Sequence, residues 1–180
     1  PRSMYDEAKR ASEAYCYSYF KEFKIHVRIA RIFNTYGPRL DVKSTSQYGR
    51  ALVKFAAQAL GDDPISIYGD GAQTRSFCYI TDQITGLFKL LLTDNIDGEV
   101  VNIGNGKETT ITELINKIIK LAESKSKLVY NSHPNYDIRD DPRRRCPDIT
   151  KAKKLLNYEP KVGLDEGLKR TISWFKEGKK

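Results

Sequence analysis

The sequence is poor in the residues that build metal sites and disulfide frameworks. It holds 3 cysteines and 2 histidines among 180 residues. Cys16, Cys78 and Cys146 are too far apart for a Cys-x-x-Cys motif, and their odd number does not suggest a disulfide framework. His26 and His133 stand alone, so the pattern gives no support for a bound metal. We therefore expect reduced cysteines in a cytoplasmic protein.

Long apolar runs are missing too. The longest, such as Leu90-Leu91-Leu92, fall far short of the ~20 residues that a membrane helix requires. No stretch has the pattern of a signal peptide. Zinc-finger spacings and aromatic RNA-binding motifs do not occur either, so the sequence predicts no membrane span and no nucleic-acid module.

A glycine-rich phosphate-binding loop is also lacking. No Gly-x-x-Gly-x-x-Gly occurs anywhere, and no strand–helix units precede Tyr5 to supply a dinucleotide site. The chain begins at Pro1, without Met, directly in the approach to a helix. Its 180 residues suffice for one unit with a sizeable core, and we expect that unit to be part of a larger protein.

Positive charge is in excess, with a net charge of +8. The charges alternate with apolar positions except in the run from Arg139 to Arg145. Two interpretations stay open at this point. The excess of positive charge indicates either a solvated, lysine-rich surface or an arginine cluster that binds an anion such as nucleic acid or phosphate.

A Tyr–Lys pair stands near the start of the chain. Tyr5 and Lys9, four residues apart, lie on one face of a helix predicted from Tyr5 to about Phe23. The ammonium group can stabilise a phenolate, which suits proton transfer near neutral pH. The spacing alone is weak evidence, because Tyr17 and Lys21 repeat it in the same helix.

The remaining pattern alternates strands and helices, which indicates an α/β fold. We predict strands over residues 26–33, 65–68, 99–104 and 127–130 and an extended segment over 73–80. Helices are predicted over 49–60, from an N-cap at Asp82, after a capping box of Thr110 and Glu113, from Asp148 to Leu156, and over 164–176.

Two motifs at matching separation connect these elements to a known family. The stretch Ser3 to Glu13, which contains Tyr-Asp-Glu-Ala-Lys, and the stretch Ile32 to Arg39, Ile-Phe-Asn-Thr-Tyr-Gly-Pro-Arg, closely resemble the extended short-chain dehydrogenase/reductase family of NAD-dependent epimerases and dehydratases. The likeness extends through Arg145-Cys146-Pro147-Asp148 and covers essentially the whole chain. It implies the carboxy-terminal part of a Rossmann-type enzyme with its small substrate-binding α/β domain.

The resemblance also implies a reaction, NAD-dependent decarboxylation of UDP-glucuronate to UDP-xylose through a 4-keto intermediate. Tyr5 would be the base, Lys9 would hold the NAD ribose, and Arg145 would be the active-site arginine facing the sugar or its diphosphate. The implied cofactor-binding residues are Tyr5, Lys9, Thr35, Tyr36 and Gly37. The implied substrate-binding residues are Asn34, Arg50, Ile67, Tyr68, Arg75, Asn102 and Arg145.

The same resemblance places residues 1–40 at the end of the Rossmann domain and residues 41–180 mainly in the nucleotide-sugar-binding region, with segments that return to the Rossmann sheet. It implies a homodimer formed through the Tyr/Lys helix. Because the phosphate loop is missing, we expect the 180 residues alone not to turn over substrate. A nucleotide-sugar 4,6-dehydratase, a 4-epimerase and a non-catalytic nucleotide-sugar-binding module stay open as alternatives.

Overall fold

The computed structural model describes residues 4–40, 51–132 and 142–178. Its elements alternate as the sequence predicts, so the fold is α/β. The helices are α1 (Met4–Phe23), α2 (Ala51–Leu60), α3 (Ile80–Leu92), α4 (Ile111–Ala122), α5 (Thr150–Leu156) and α6 (Leu164–Glu177). The strands are β1 (Ile29–Ile32), β2 (Thr35–Tyr36), β3 (Ile65–Tyr68), β4 (Thr74–Ser76), β5 (Cys78–Tyr79), β6 (Val100–Ile103), β7 (Glu108–Thr110), β8 (Leu128–Asn131) and β9 (Arg144–Arg145).

The strands form short, mostly parallel pairings. Parallel pairs join β1 to β6, β2 to β5 and β3 to β8. A three-stranded sheet has the order β7-β4-β9, in which β4 is antiparallel to β7 and parallel to β9. The partners in each parallel pair are far apart in sequence, as parallel pairing requires long connections. Helix α3 lies in the connections of two of these pairs, between β5 and β6 in the chain.

Two apolar cores hold these layers together. One lies among α2, α4, α6 and β3 and includes Ile65, Leu114, Ile118 and Leu168. The other lies under the β1–β6 pair, where the apolar side chains of β6 meet α3 and α5. Burial of this apolar surface is the main stabilising contribution to such a fold.

The first helix differs from the others in burial. None of the residues of α1 is buried, and Tyr5, Tyr15, Tyr19 and Phe23 are all exposed large side chains. At its carboxy-terminal end the ring of Phe20 packs so closely on Gly98 that a Cβ there would lie 2.5 Å from Phe20 Cε1. Helix α1 therefore attaches to the sheet through a small number of specific contacts.

The capping box of α4 is confirmed. Glu113 N donates to Thr110 Oγ1, and Thr110 N donates to Glu113 Oε2. The predicted N-cap at Asp82 is wrong, because the helix begins at Ile80 with Tyr79 as its N-cap residue. Strand β5 runs directly into α3, and the buried Asp82 carboxylate accepts a hydrogen bond from Val162 N at 2.8 Å instead.

Candidate active site

A large open pocket of about 1220 Å³ lies beside α1, β1, α2 and the β4–β9 strands. Most of the sequence-predicted site residues that the structure describes border it. These are Tyr5, Lys9, Asn34, Thr35, Tyr36, Tyr68, Arg75 and Arg145. The fold therefore brings together side chains that are as far apart as the first and last thirds of the chain.

The two Tyr–Lys pairs of α1 differ in where they lie. Lys9 Nζ is 5.5 Å from the ring centroid of Tyr5, and Lys21 Nζ is also 5.5 Å from the ring centroid of Tyr17. Only the first pair borders the pocket. The distance between lysine and tyrosine is the same in both pairs, so only their position in the fold distinguishes them.

The loop after β1 enters the pocket in a strained conformation. Asn34 has φ +27°, in the left-handed region that few non-glycine residues adopt. Its Nδ2 donates to Ser76 O at 2.8 Å, and its carbonyl accepts from Cys78 N at 3.1 Å. These bonds join the loop to the end of β4 and the start of β5. Backbone outliers held in this way occur often at functional sites.

The next two residues of this loop are also tied to the interior. Thr35 Oγ1 donates to Gln83 Oε1 at 3.2 Å. Tyr36 is 2% exposed, and its hydroxyl donates to Leu164 O at 3.4 Å. Burial raises the pKa of Tyr36 well above its ordinary value, so its ring serves the core and its hydroxyl stays protonated.

Two arginines meet on neighbouring strands at the other side of the pocket. Arg75 on β4 and Arg145 on β9 are register partners. Arg75 is buried, and its Nη1 donates to the carbonyls of Thr74 and Pro142 at 2.7 and 2.9 Å. Arg145 is exposed. Two arginines at paired positions on adjacent strands, one of them fixed, form an arrangement suited to a multiply charged anion.

The two arginines before Arg145 are engaged by carboxylates. Arg143 Nη1 lies 2.9 Å from both carboxylate oxygens of Asp70. Arg144 Nε donates to Glu108 Oε1 at 2.7 Å, and these contacts with Arg144 and a further one with Thr74 hold the pKa of Glu108 below its usual range. Within the described ranges Arg145 has no ion-pair partner, so it is the arginine of this run that is available to the pocket.

Three other predicted site residues lie outside the pocket, and a fourth falls outside the described residues. Gly37 and Ile67 are buried, and neither borders the pocket. Asn102 also lies away from it and donates from Nδ2 to Asp148 O at 2.9 Å. Arg50 falls outside the described residues. The roles assigned to all these side chains, inside the pocket or not, stay predictions.

Sequence reasoning missed two charged residues that border the same pocket. Glu13 of α1 and Arg31 of β1 form a bidentate ion pair, with Arg31 Nε 2.7 Å from Oε1 and Nη2 2.6 Å from Oε2. This contact lowers the pKa of Glu13 and raises that of Arg31. A sequence signal existed, because Glu13 follows Tyr5 and Lys9 at helical spacing on the same face.

Two negative findings concern the described part of the chain. Over residues 4–40, 51–132 and 142–178, no group of three or more His, Cys, Asp or Glu side chains is placed to hold a metal ion. Within the same ranges no helix is both long and apolar enough to span a membrane.

Known proteins resemble this chain in sequence and in structure. A family model described as GDP-mannose 4,6 dehydratase matches residues 1–171. UDP-glucuronic acid decarboxylase 1 of Danio rerio is 44% identical over 97% of this chain and 40% of its own length. UDP-glucuronic acid decarboxylase 5 of Arabidopsis thaliana is 45% identical over 93% of this chain and 46% of its own length.

A solved structure gives the same picture at the level of the fold. The UDP-glucuronic acid 4-epimerase of Bacillus cereus, in complex with UDP-glucuronic acid and NAD, superposes with a TM-score of 0.86 at 35% identity. The match covers 98% of this chain and 54% of the epimerase. The chain thus spans about half or less of the length of these relatives. By its sequence and its fold, it belongs to the extended short-chain dehydrogenase/reductase family of NAD-dependent epimerases and dehydratases.

Proposed function

We propose that this chain is the carboxy-terminal part of an NAD-dependent UDP-glucuronate decarboxylase, which converts UDP-glucuronate to UDP-xylose and carbon dioxide. The observation that carries the proposal is the meeting of Tyr5 and Lys9 with Arg75 and Arg145 around one pocket. Relatives with this activity in their names, at 44% and 45% identity, support the choice of reaction. The activity is proposed for the whole protein, since the chain spans 40% and 46% of those relatives.

The charges of the pocket fit this substrate. UDP-glucuronate carries a diphosphate and a carboxylate, and both are anions that guanidinium groups bind through paired hydrogen bonds. Arg75, fixed by two backbone carbonyls, suits the ribose or diphosphate. Arg145 lies beside it and would face the sugar or its diphosphate, with Tyr68 near the base and Asn34 near the sugar.

Tyr5 and Lys9 have side chains suited to the proton transfer. The Tyr5 phenolate would take the proton of the sugar C4 hydroxyl and later return it. The Lys9 ammonium, 5.5 Å from the Tyr5 ring centroid, would stabilise that phenolate and donate to ribose hydroxyls. Once C4 is a ketone, the sugar is a β-keto acid. The bond from C5 to the carboxyl carbon would break to release carbon dioxide and leave an enolate, which would take up a proton from water at C5 before the hydride returns to C4.

NAD, when bound, supplies the hydride acceptor at C4 and returns the hydride afterwards. Tyr5 and Lys9 offer hydroxyl and ammonium groups to one end of this cofactor, and Thr35 and Tyr36, which line the same pocket, would border the nicotinamide. Gly37 is buried outside the pocket and is left out of this set. The sequence contains no Gly-x-x-Gly-x-x-Gly. In this proposal the loop that holds the NAD phosphates, and the Rossmann strands around it, belong to a part of the protein outside these 180 residues.

The proposal includes a homodimer in the cytoplasm. The surface of α1 supports it, because Ala8, Ala11, Tyr15 and Tyr19 follow at helical spacing and all four are exposed. Exposed aromatic side chains such as Tyr15 and Tyr19 are of the kind enriched at interfaces between proteins. Sedimentation of the full-length protein should show a dimer that Tyr15→Glu shifts towards monomer, and an unchanged sedimentation coefficient would count against this interface.

The 4-epimerase and 4,6-dehydratase alternatives are favoured by one observation each. The superposition on a UDP-glucuronic acid 4-epimerase at 35% identity concerns the same nucleotide sugar, and the matching family model bears a dehydratase name. Product analysis separates the three: a pentose, a 4-epimer or a 4-keto-6-deoxy sugar. Binding of UDP-glucuronate without any turnover would instead support a non-catalytic binding module.

The proposed roles are tested by a matched pair of variants in the full-length protein. Tyr5→Phe should lower turnover of UDP-glucuronate by about a hundredfold or more, as expected for loss of a general base. Tyr17→Phe removes a hydroxyl from the same helix, at the same distance from a lysine, but away from the pocket. It should leave turnover unchanged, and equal effects of the two substitutions would refute the assignment of Tyr5.

A further inference from the structure

The ion pair of Glu13 and Arg31 joins the two segments that carry the Tyr–Lys pair and the Asn34 loop. Glu13 stands on the face of α1 that carries Tyr5 and Lys9, and Arg31 lies in β1 just before Asn34. Both carboxylate oxygens and two guanidinium nitrogens take part, at 2.6 and 2.7 Å. A side-on bidentate pair of this kind fixes orientation as well as distance.

The helix has few other contacts that could fix its orientation. No residue of α1 is buried, and the packing of Phe20 on Gly98 lies at its far end. The opposite face of the β1–β6 pair is covered by α3 and α5. Because side chains alternate along a strand, Arg31 leaves the sheet on the side away from the helices that pack under Ala30. The ion pair is thus a polar link between α1 and β1 in the described part of the chain.

The distance between the ion pair and Tyr5 shows why a small change in the orientation of α1 matters. Tyr5 lies two helical turns before Glu13, or about 12 Å along the helix axis. A tilt of ~5° at the pair would therefore move the Tyr5 side chain by ~1 Å, and a misplacement of that size can lower turnover about a hundredfold. Asn34 is held separately by its bonds to the β4 region, so it would not follow the helix.

We propose that Glu13 and Arg31 are positioning residues, whose ion pair sets the placement of Tyr5 and Lys9 relative to the Asn34 loop. The inference rests on the proposed function of the Tyr5 site. Neither residue contacts the reacting atoms in this proposal, and their role is to hold the helix. Binding of the nucleotide would depend on Tyr68, Arg75 and Arg145, which lie on β3, β4 and β9.

The test is a charge swap in the full-length protein. Glu13→Gln and Arg31→Gln should each lower kcat for UDP-glucuronate about tenfold or more while KM changes less than twofold. Glu13→Arg combined with Arg31→Glu should recover most of the loss, since it restores the pair with its charges exchanged. Glu166→Gln, which breaks the Glu166–Arg170 pair on α6, is the matched control and should leave both constants unchanged.

Other results would overturn the inference. If Arg31 bound the substrate directly, Arg31→Gln would raise KM and the swapped pair would give no recovery. If the pair were only a surface contact, the single variants would match Glu166→Gln, as weak exposed ion pairs usually do. If the charge swap left kcat as low as in the single variants while KM stayed unchanged, a role of this pair in orienting α1 would be refuted as well.

A second readout is independent of the reaction. In the full-length protein without substrate, Glu13→Gln should increase amide hydrogen exchange over residues 4–23 and leave exchange in α4 unchanged, and the charge swap should reverse the increase. Unchanged exchange in α1 would overturn the inference. If the wild-type protein fails to decarboxylate UDP-glucuronate but the exchange results hold, the proposed function fails and the positioning role of the pair stands.

Discussion

Gly86 of α3 allows the sharpest stability prediction, because it lies where the helix meets β6. A Cβ at this position would overlap Ile103 Cγ2 and come 2.9 Å from Tyr158 Cε2. Neither neighbour has room to move: Ile103 is 0% and Tyr158 1% exposed, and the Tyr158 hydroxyl donates to Gly104 O at 3.0 Å. Gly86→Ala therefore forces a clash inside the β1–β6 core.

The magnitude follows from two opposing effects. Overpacking a well-packed core costs about 1–3 kcal/mol, while alanine is favoured over glycine in a helix by about 1 kcal/mol. Because both neighbours are fixed, we expect a cost near the upper end of the first range and a net loss of ~1–2 kcal/mol in the free energy of unfolding. For a chain of this size that loss lowers Tm by about 2–8 °C.

Urea unfolding of the 180-residue chain, followed by circular dichroism, measures this loss. Gly163→Ala is the matched control, because a Cβ there meets nothing within 4 Å and its φ of −66° suits alanine. Because Gly163 is the N-cap residue of α6, where alanine is less favourable than glycine, we expect that control to lose only about 0.5 kcal/mol. If Gly86→Ala were as stable as Gly163→Ala or the wild type, the close packing of α3 on β6 would be refuted.

Three further outcomes are expected. Thr110→Ala removes the capping box of α4 and should cost about 1 kcal/mol of unfolding free energy, against almost none for Thr85→Ala inside α3, as urea unfolding would show. Burial raises the pKa of Cys78 to about 11, so the unfolded chain loses this proton at lower pH, and stability should fall between about pH 9 and pH 11; Cys78→Ala should flatten that part of a pH–Tm curve. Arg145→Lys should weaken UDP binding by the full-length protein about tenfold in calorimetry, because a lysine cannot form the paired hydrogen bonds, whereas Arg144→Lys, at the arginine engaged by Glu108, should have little effect.

Local patterns were sufficient to predict much of the fold. The helical spacing of Ala8, Ala11, Tyr15 and Tyr19 predicts α1, and the helix is confirmed from Met4 to Phe23. The spacing of Leu168, Ile172 and Phe175 predicts the buried face of α6, and all three residues are buried. Hydrophobic periodicity succeeds here because each helix presents one apolar or aromatic stripe.

The failures come from contacts between distant parts of the chain. The sequence contains no signal for the hydrogen bond between Asp82 and Val162 N. Its pattern is equally compatible with Asp82 as a helix N-cap. The pairing of Glu13 with Arg31 also depends on how a helix lies against a strand, which helical spacing does not determine. In the same way, two Tyr–Lys pairs were indistinguishable until the fold placed one of them beside the pocket.

The central claim is the decarboxylation of UDP-glucuronate, and the most direct measurement follows the carboxyl carbon. UDP-glucuronate labelled with ¹³C at that carbon is incubated with the full-length protein and NAD, and the label is followed by NMR. The account predicts that the label appears as carbon dioxide and bicarbonate while an unlabelled UDP-pentose accumulates. Retention of the label in a nucleotide sugar, as in a 4-epimer of the substrate, would contradict it.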